Sequence, residues 1–159
     1  MILIIGYGNT LCGDDGLGPY VVEWLACEET RDDVECLSAH QLTPELAEPL
    51  SRADAAIFVD AAQGETPGQV NCRKLEPEPT STSAFTHHAK AESLLANAVS
   101  LYGQCPEAYL YTLMGQNFNL GDSFSHPVEQ ALPSLFSQLK ARIDLCMNLA
   151  SPKPSSSDC

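Results

Sequence analysis

The sequence predicts an α/β fold: a three-layer sandwich with a twisted, mostly parallel sheet of about five strands and helices on both faces. Three observations point there. Met1 to Ile5 is an uninterrupted apolar run, as a strand buried on both faces requires. A glycine-rich loop follows it and runs into a helix-periodic stretch, the order of a strand–loop–helix unit. Ala55 to Asp60 (AAIFVD) then repeats the theme of an apolar strand ending on an acid.

The elements follow in order. Gly6 to Gly18 (GYGNTLCGDDGLG) is a loop with five glycines, Gly6, Gly8, Gly13, Gly16 and Gly18, and two adjacent carboxylates, Asp14 and Asp15. Pro19 is expected to open the first helix, where its missing N–H costs nothing. Val21, Val22, Trp24 and Leu25 are the core-facing residues of that helix. Val34 to Leu37 is a short second strand, Ser38 to Thr43 a loop, and Thr43-Pro44 the start of a further helix with Thr43 as N-cap. After the strand Ala55 to Asp60, GETPG turns the chain into an edge strand, Gln69 to Leu75, with Val70, Cys72 and Lys74 on one face. EPEPTSTS is expected to be a mobile loop. From Thr86 a helix carries Ala91, Leu94, Leu95, Ala98 and Leu101 on one side and stops at Gly103. Ala108 to Met114 is the last strand, Gly115 to His126 a polar loop, and Val128 to Met147 the closing helix, with Pro133 bending it near its start.

With 159 residues the chain is expected to form one domain, residues 1–150, and a disordered tail, 151–159, with nothing to bury. Charged residues make up 18%, below the usual ~25%, yet 21 acids against 8 Lys and Arg leave a net charge of −13. That field disfavours nucleic acid and anionic membranes and favours a cation or a metal-loaded protein as partner. No apolar run is long enough to span a bilayer. Seven scattered cysteines without a C-x-x-C pair, and no signal segment ahead of the first strand, read as reduced, mostly core thiols of a cytoplasmic protein. Cys12 lies in the glycine loop, where it either fills space or reaches a ligand. A monomer is expected, since no helical face is conspicuously apolar.

Three polar groups stand at the ends of buried elements: Asp15, Asp60 and the pair His87-His88. If the first and third strands are neighbours, Asp15 and Asp60 meet above the carboxyl edge of the sheet, where open α/β sheets bind ligands. Two carboxylates and an imidazole suit a divalent ion such as nickel or zinc, and cadmium as a substitute. The plainer reading has each aspartate capping a helix or turn and the histidines merely opening a helix. Either carboxylate is a candidate general base. Asp14 and Asn9 are expected to orient the loop rather than to bind an ion. Gly6, Gly8, Gly16 and Gly18 allow close backbone approach, and His40 and Gln41 are either substrate contacts or ordinary loop residues. There is no H-E-x-x-H helix and no G-x-S-x-G elbow, which argues against a conventional zinc or serine peptidase.

GYGNTLCGDDGLGP, then FVDA, then THH ahead of LLANAVSLYG, resembles the hydrogenase maturation endopeptidase family, whose opening motif is G-x-G-N-x-L-x-x-D-[DE]-G-x-G. The likeness covers nearly all of the chain except its tail. HQLTPEL and the SLYG…NF…GDSFS segment resemble the branch that serves soluble or bidirectional NAD-linked [NiFe] hydrogenases. The resemblance implies an aspartate- and metal-dependent peptidase that removes the C-terminal extension of a hydrogenase large-subunit precursor after nickel insertion, the nickel being carried by the substrate. It places the family's metal-contacting acids on Asp15, often Glu in the family, and Asp60, and its histidine on His87 or His88. Thr86 in a [ST]-x-H pattern favours His88, while the helical phase of Leu94 and Leu95 favours His87.

Other classes remain open on the sequence. A receiver-like phosphoacceptor domain would use the paired acids for Mg²⁺ and Asp60 as acceptor, but Met114-Gly115-Gln116 lacks the lysine it needs. A dinucleotide-binding module would need glycine at Leu11 and an acid at Ser38. A chaperone holding the nickel-loaded precursor without cutting it has the same sequence requirements as the peptidase.

Overall fold

The structure, a computed structural model, describes residues 1–78 and 90–150. Five strands, β1 (Ile2–Tyr7), β2 (Val34–Ala39), β3 (Ala55–Gln63), β4 (Val70–Leu75) and β5 (Glu107–Gly115), form one sheet in the order β2-β1-β3-β5-β4. All neighbours are parallel except β4, which runs antiparallel to β5 at the edge. The described residues also form four helices: α1 (Leu17–Glu28), α2 (Ala47–Arg52), α3 (Ala91–Tyr102) and α4 (His126–Ala150).

Alternation along the strands builds the layers. Ile2 and Ile4 of β1 and Ile57 and Val59 of β3 point to the face covered by α1 and α4, joining Val21, Val22, Leu135 and Leu139. Leu3, Ile5, Ala56 and Phe58 point to the other face, onto Leu50 of α2 and Leu94 and Leu95 of α3. Both faces of the central strands are therefore dry, which explains why β1 and β3 read as continuous apolar runs. The three-layer α/β sandwich expected from the sequence is the observed architecture.

Several boundaries differ from expectation. Pro19 does not open α1: a 3-10 turn over Gly13–Gly16 leads straight into Leu17, so Pro19 is the third helical residue. Proline is tolerated there because the first-turn N–H groups have no intrahelical acceptor. Thr43 precedes a 3-10 turn over Pro44–Leu46 rather than a regular helix, and its side chain makes no capping bond. The strands β2 and β3 run on beyond Leu37 and Asp60, because parallel pairing to β1 and β5 continues past the apolar residues. The helix expected from Thr86 begins at Ala91 among the described residues, and Gly103 closes it in a left-handed conformation with φ of 81°. Pro133 lies inside α4, which continues to Ala150. Most thiols are not in the core. Cys146 is buried, Cys12, Cys36 and Cys105 are half-buried, and Cys27 and Cys72 are exposed. The expectations for His87, His88, most of EPEPTSTS and the tail 151–159 fall outside the described residues. No described helix is long and apolar enough to cross a membrane.

Candidate active site

The order of the strands creates the site. From β1 the chain crosses by α1, on one face, to β2 on one side. It then returns by α2, on the opposite face, to β3 on the other side. The two crossovers diverge at the carboxyl ends of β1 and β3 and leave a crevice there. Residues 8–16 form one wall and the end of β3 forms the floor.

The loop owes its path to glycines at two points of contact. Gly6 and Gly18 let α1 lie directly on the sheet: a Cβ on Gly6 would stand 2.0 Å from the Gly18 carbonyl oxygen. Gly8 has φ of 144°, and a Cβ there would stand 1.9 Å from the carbonyl oxygen of Asp15. The loop thus folds back on itself. Asp15 then reaches the crevice with its carboxylate pinned, Oδ2 accepting the Asn9 N–H at 2.7 Å. Asn9 Oδ1 in turn accepts the Leu11 N–H at 2.9 Å and holds the turn.

Asp60 comes to the same place by register. Gly6 of β1 lies beside Val59, so Tyr7 and Asp60, one residue further on, are neighbours on the face that α2 and α3 cover. The Tyr7 hydroxyl donates to the Asp60 carboxylate. Burial pushes Asp60 up to about 7; the negative charge of Asp15 adds to this, while the Tyr7 hydroxyl and the Ala61 N–H oppose it. Burial and the Asp60 charge raise Tyr7 far above the ordinary phenol, so it remains a proton donor at any physiological pH. Asp60 is therefore a carboxylate poised between charged and neutral at neutral pH.

A cavity of about 740 Å³ opens over these groups. Asp15, Asp60, Asn9, His40 and Gln41 all line it, so these candidates from the sequence share one cavity, and Tyr7 joins them. Five polar lining residues had no site role in the sequence reading: Tyr7 of β1, Arg73 of β4, Glu78, Lys90 ahead of α3, and Glu92 of α3. Arg73 reaches across to Glu92 in a 2.5 Å ion pair. Among the described residues no three His, Cys, Asp or Glu side chains converge as a metal site. Asp15 and Asp60 need a further donor, and His87 and His88 lie outside the described residues.

Asp14 points the other way. It is fully buried, and its two oxygens accept four hydrogen bonds: from the N–H groups of Gln116, Asn117 and Ser125 and from the Ser125 hydroxyl, all at 2.7–2.9 Å. Burial alone would raise its pKa, but the donors of Asn117, Ser125 and Gln116 outweigh it and hold the carboxyl below its ordinary value. Asp14 thereby fastens the 116–125 loop to the glycine loop, and Gly13 adds a backbone bond of 2.8 Å to Gly121. Cys12 does not line the cavity; it forms a β-bridge to Gly121.

No family model matches the sequence, and no curated protein matches it. Solved structures do. The hydrogenase 2 maturation peptidase from a Thaumarchaeota archaeon is 25% identical, with 91% of this chain and 98% of that one covered and a TM-score of 0.68. The [NiFe] hydrogenase maturation protease HycI of Thermococcus kodakarensis is 20% identical, covering 90% and 92%, at a TM-score of 0.71. The E. coli maturating endopeptidase HybD is 22% identical, covering 90% and 91%, also at 0.71. With the same fold over almost its whole length, and with its glycine loop presenting Asp15 beside Asp60, the chain is similar in structure to the hydrogenase maturation peptidases.

Proposed function

We propose that the chain is an endopeptidase that removes the C-terminal extension of a [NiFe] hydrogenase large-subunit precursor once nickel is in place, and that it recognises the nickel itself. The observation that carries this reading is the shared exposure of Asp15 and Asp60 in one open crevice at the sheet's carboxyl edge. A pair of converging carboxylates, one of them raised to about 7 by burial, is costly unless a cation comes to neutralise it.

Nickel held by precursor cysteines enters as part of the substrate. Asp15 and Asp60 supply two oxygen donors. The third donor is a histidine, His88 or His87. In support, α3 lies on the same face as Asp60 and its first residue, Ala91, lines the cavity; the histidine pair precedes Ala91 by three and four positions. The ion then measures the distance to the scissile peptide and polarises its carbonyl or a water. Water adds to the carbonyl carbon, the C–N bond breaks, and the water's proton ends on the leaving amine. Tyr7 keeps Asp60 oriented throughout. The segments HQLTPEL and SLYG…NF…GDSFS support a precursor from the soluble or bidirectional NAD-linked class, processed in the cytoplasm by a monomeric enzyme.

The test is cleavage of nickel-loaded and nickel-free precursor by the wild type and by Asp15→Ala, Asp60→Ala, His87→Ala and His88→Ala. The reading requires cleavage of the loaded precursor only, lost in both aspartate variants and in one histidine variant. Equal cleavage of both precursors would refute nickel recognition. Tight binding of loaded precursor without any product would establish the non-proteolytic holding role instead.

A further inference from the structure

A second groove, of about 690 Å³, lies on the other side of the glycine loop. Gly13 and Gly16 form its floor, so it shares with the Asp15–Asp60 cavity the single turn that separates them. Its wall is apolar: Tyr20 of α1 and Phe124 meet edge to face with centroids 5.1 Å apart, and Leu132 of α4 closes the end. Leu11 stands at the lip with 66% of its surface in water. The rim is acidic, made of Glu23, Asp122 and Glu129, all exposed.

Two features make this more than loop surface. Glu23, Asp122 and Glu129 have no ion-pair partner among the described residues; the described arginines pair or bond elsewhere, and Lys140 sits over Trp24. The rim is thus an uncompensated negative field beside an exposed leucine and an aromatic pair. The loop that bears Leu11 is also held rigidly, by the buried Asp14 and by the Gly121 N–H to Leu11 carbonyl bond of 2.8 Å. A rigid apolar trough with a negative rim is complementary to a chain that offers large apolar side chains flanked by lysine or arginine. The protein's own last nine residues, SPKPSSSDC, carry one lysine and no large apolar side chain, and so do not match it.

We propose that this groove docks a basic, apolar-anchored segment of the protein substrate, away from the bond that is cut. The inference rests on the peptidase reading above. The rim carboxylates attract and orient the segment, Leu11 and the Tyr20–Phe124 pair bury its apolar side chains, and one loop's thickness away the crevice receives the metal-bearing end.

The experiment uses the full chain and three variants, each checked by thermal melting. They are the groove reversal Glu23→Lys/Asp122→Lys/Glu129→Lys, Leu11→Ser, and a control reversal of equal charge remote from the groove, Glu28→Lys/Asp32→Lys/Asp33→Lys. Two probes are used: a fluorescent twelve-residue peptide alternating leucine and lysine, with its leucine–glutamate counterpart, and the nickel-loaded precursor. Expected are peptide binding that weakens with salt, a loss of tenfold or more in the groove reversal against twofold or less in the control, and a several-fold loss in Leu11→Ser. The KM for the precursor rises in parallel. Equal losses in groove and control reversals, or equal binding of the glutamate peptide, would overturn the proposal. So would a wild-type dimer that Leu11→Ser converts to monomer, since the occupant would then be a second copy of the chain. If the wild type leaves the precursor uncut, the peptidase reading fails while the peptide arm still judges the groove. If the precursor is cut with KM unchanged in the groove variants, the groove fails and the peptidase reading stands.

Discussion

Replacing Asp60 by asparagine should make the metal-free protein more stable, by an amount that depends on pH. Asparagine keeps the shape and still accepts the Tyr7 hydroxyl, but it never ionises. In the wild type Asp60 is raised from the ordinary carboxylate value of 3.8 to about 7. A folded pKa above the unfolded one means that the folded state holds its proton longer. The contribution of Asp60 to stability is then greatest below pH 4 and declines as the pH rises through 7. Three units at about 1.4 kcal/mol each give about 4 kcal/mol withheld at pH 8, against between 1 and 2 at pH 5. Asp60→Asn removes this penalty, so its advantage over the wild type should grow by about 2 kcal/mol between pH 5 and pH 8. At pH 8 the full penalty of about 4 kcal/mol corresponds to roughly 10 °C in Tm for a domain of this size. Urea denaturation of both proteins at the two pH values, with chelator present, measures it. Titrating groups other than Asp15 and Tyr7, which interact with Asp60 directly, cancel in the difference. An advantage equal at both pH values, or a less stable variant at pH 8, would show that Asp60 is not desolvated and charged in the way described.

Other outcomes follow from the same geometry. Asp14→Ala strands three backbone N–H groups and a hydroxyl in the interior and should cost about 3 kcal/mol or more, with exchange protection lost first in residues 116–125 by hydrogen exchange. Because its folded pKa is lowered, the stability Asp14 supplies is present above pH 4 and is lost as the pH falls through the folded value, the opposite of Asp60. Gly8→Ala forces a methyl within 1.9 Å of the Asp15 carbonyl at a φ of 144°; cleavage of the precursor should fall by at least a hundredfold even where the protein still folds. Tyr7→Phe removes a donor that favours the charged Asp60, so the acid limb of the pH–activity profile should move upward from about 7. An unmoved limb would detach Tyr7 from the site.

The fold was readable because its central strands are dry on both faces. Ile2 to Ile5 and Ala55 to Val59 show almost no surface to water, so their burial is written as composition. The carboxyl-edge location of Asp60 was readable because it ends a buried run directly, and that of Asp15 because the glycine loop carrying it follows the other buried run. What was not readable depends on register and on partners remote in sequence. Tyr7 joins the site only because β1 and β3 pair with Gly6 beside Val59; its signal was parity with Leu3 and Ile5, which places it on the face of Asp60. Arg73 and Glu92 enter because the antiparallel edge strand β4 brings a cation within reach of α3, which no local pattern announces. The partners of Asp14 lie more than a hundred residues away. Pro19 was misplaced because the 3-10 turn over Gly13–Gly16 starts the helical path before proline does, and glycines conceal such a start.

In the proposed reaction Asp15 and Asp60 hold one ion together with a histidine. A crystal soaked in cadmium, with the ion located by anomalous scattering, tests it most directly. Expected is a single ion held by both carboxylates and by one imidazole of the His87-His88 pair. An ion bound to one aspartate alone, or to thiols elsewhere with the crevice empty, would contradict it.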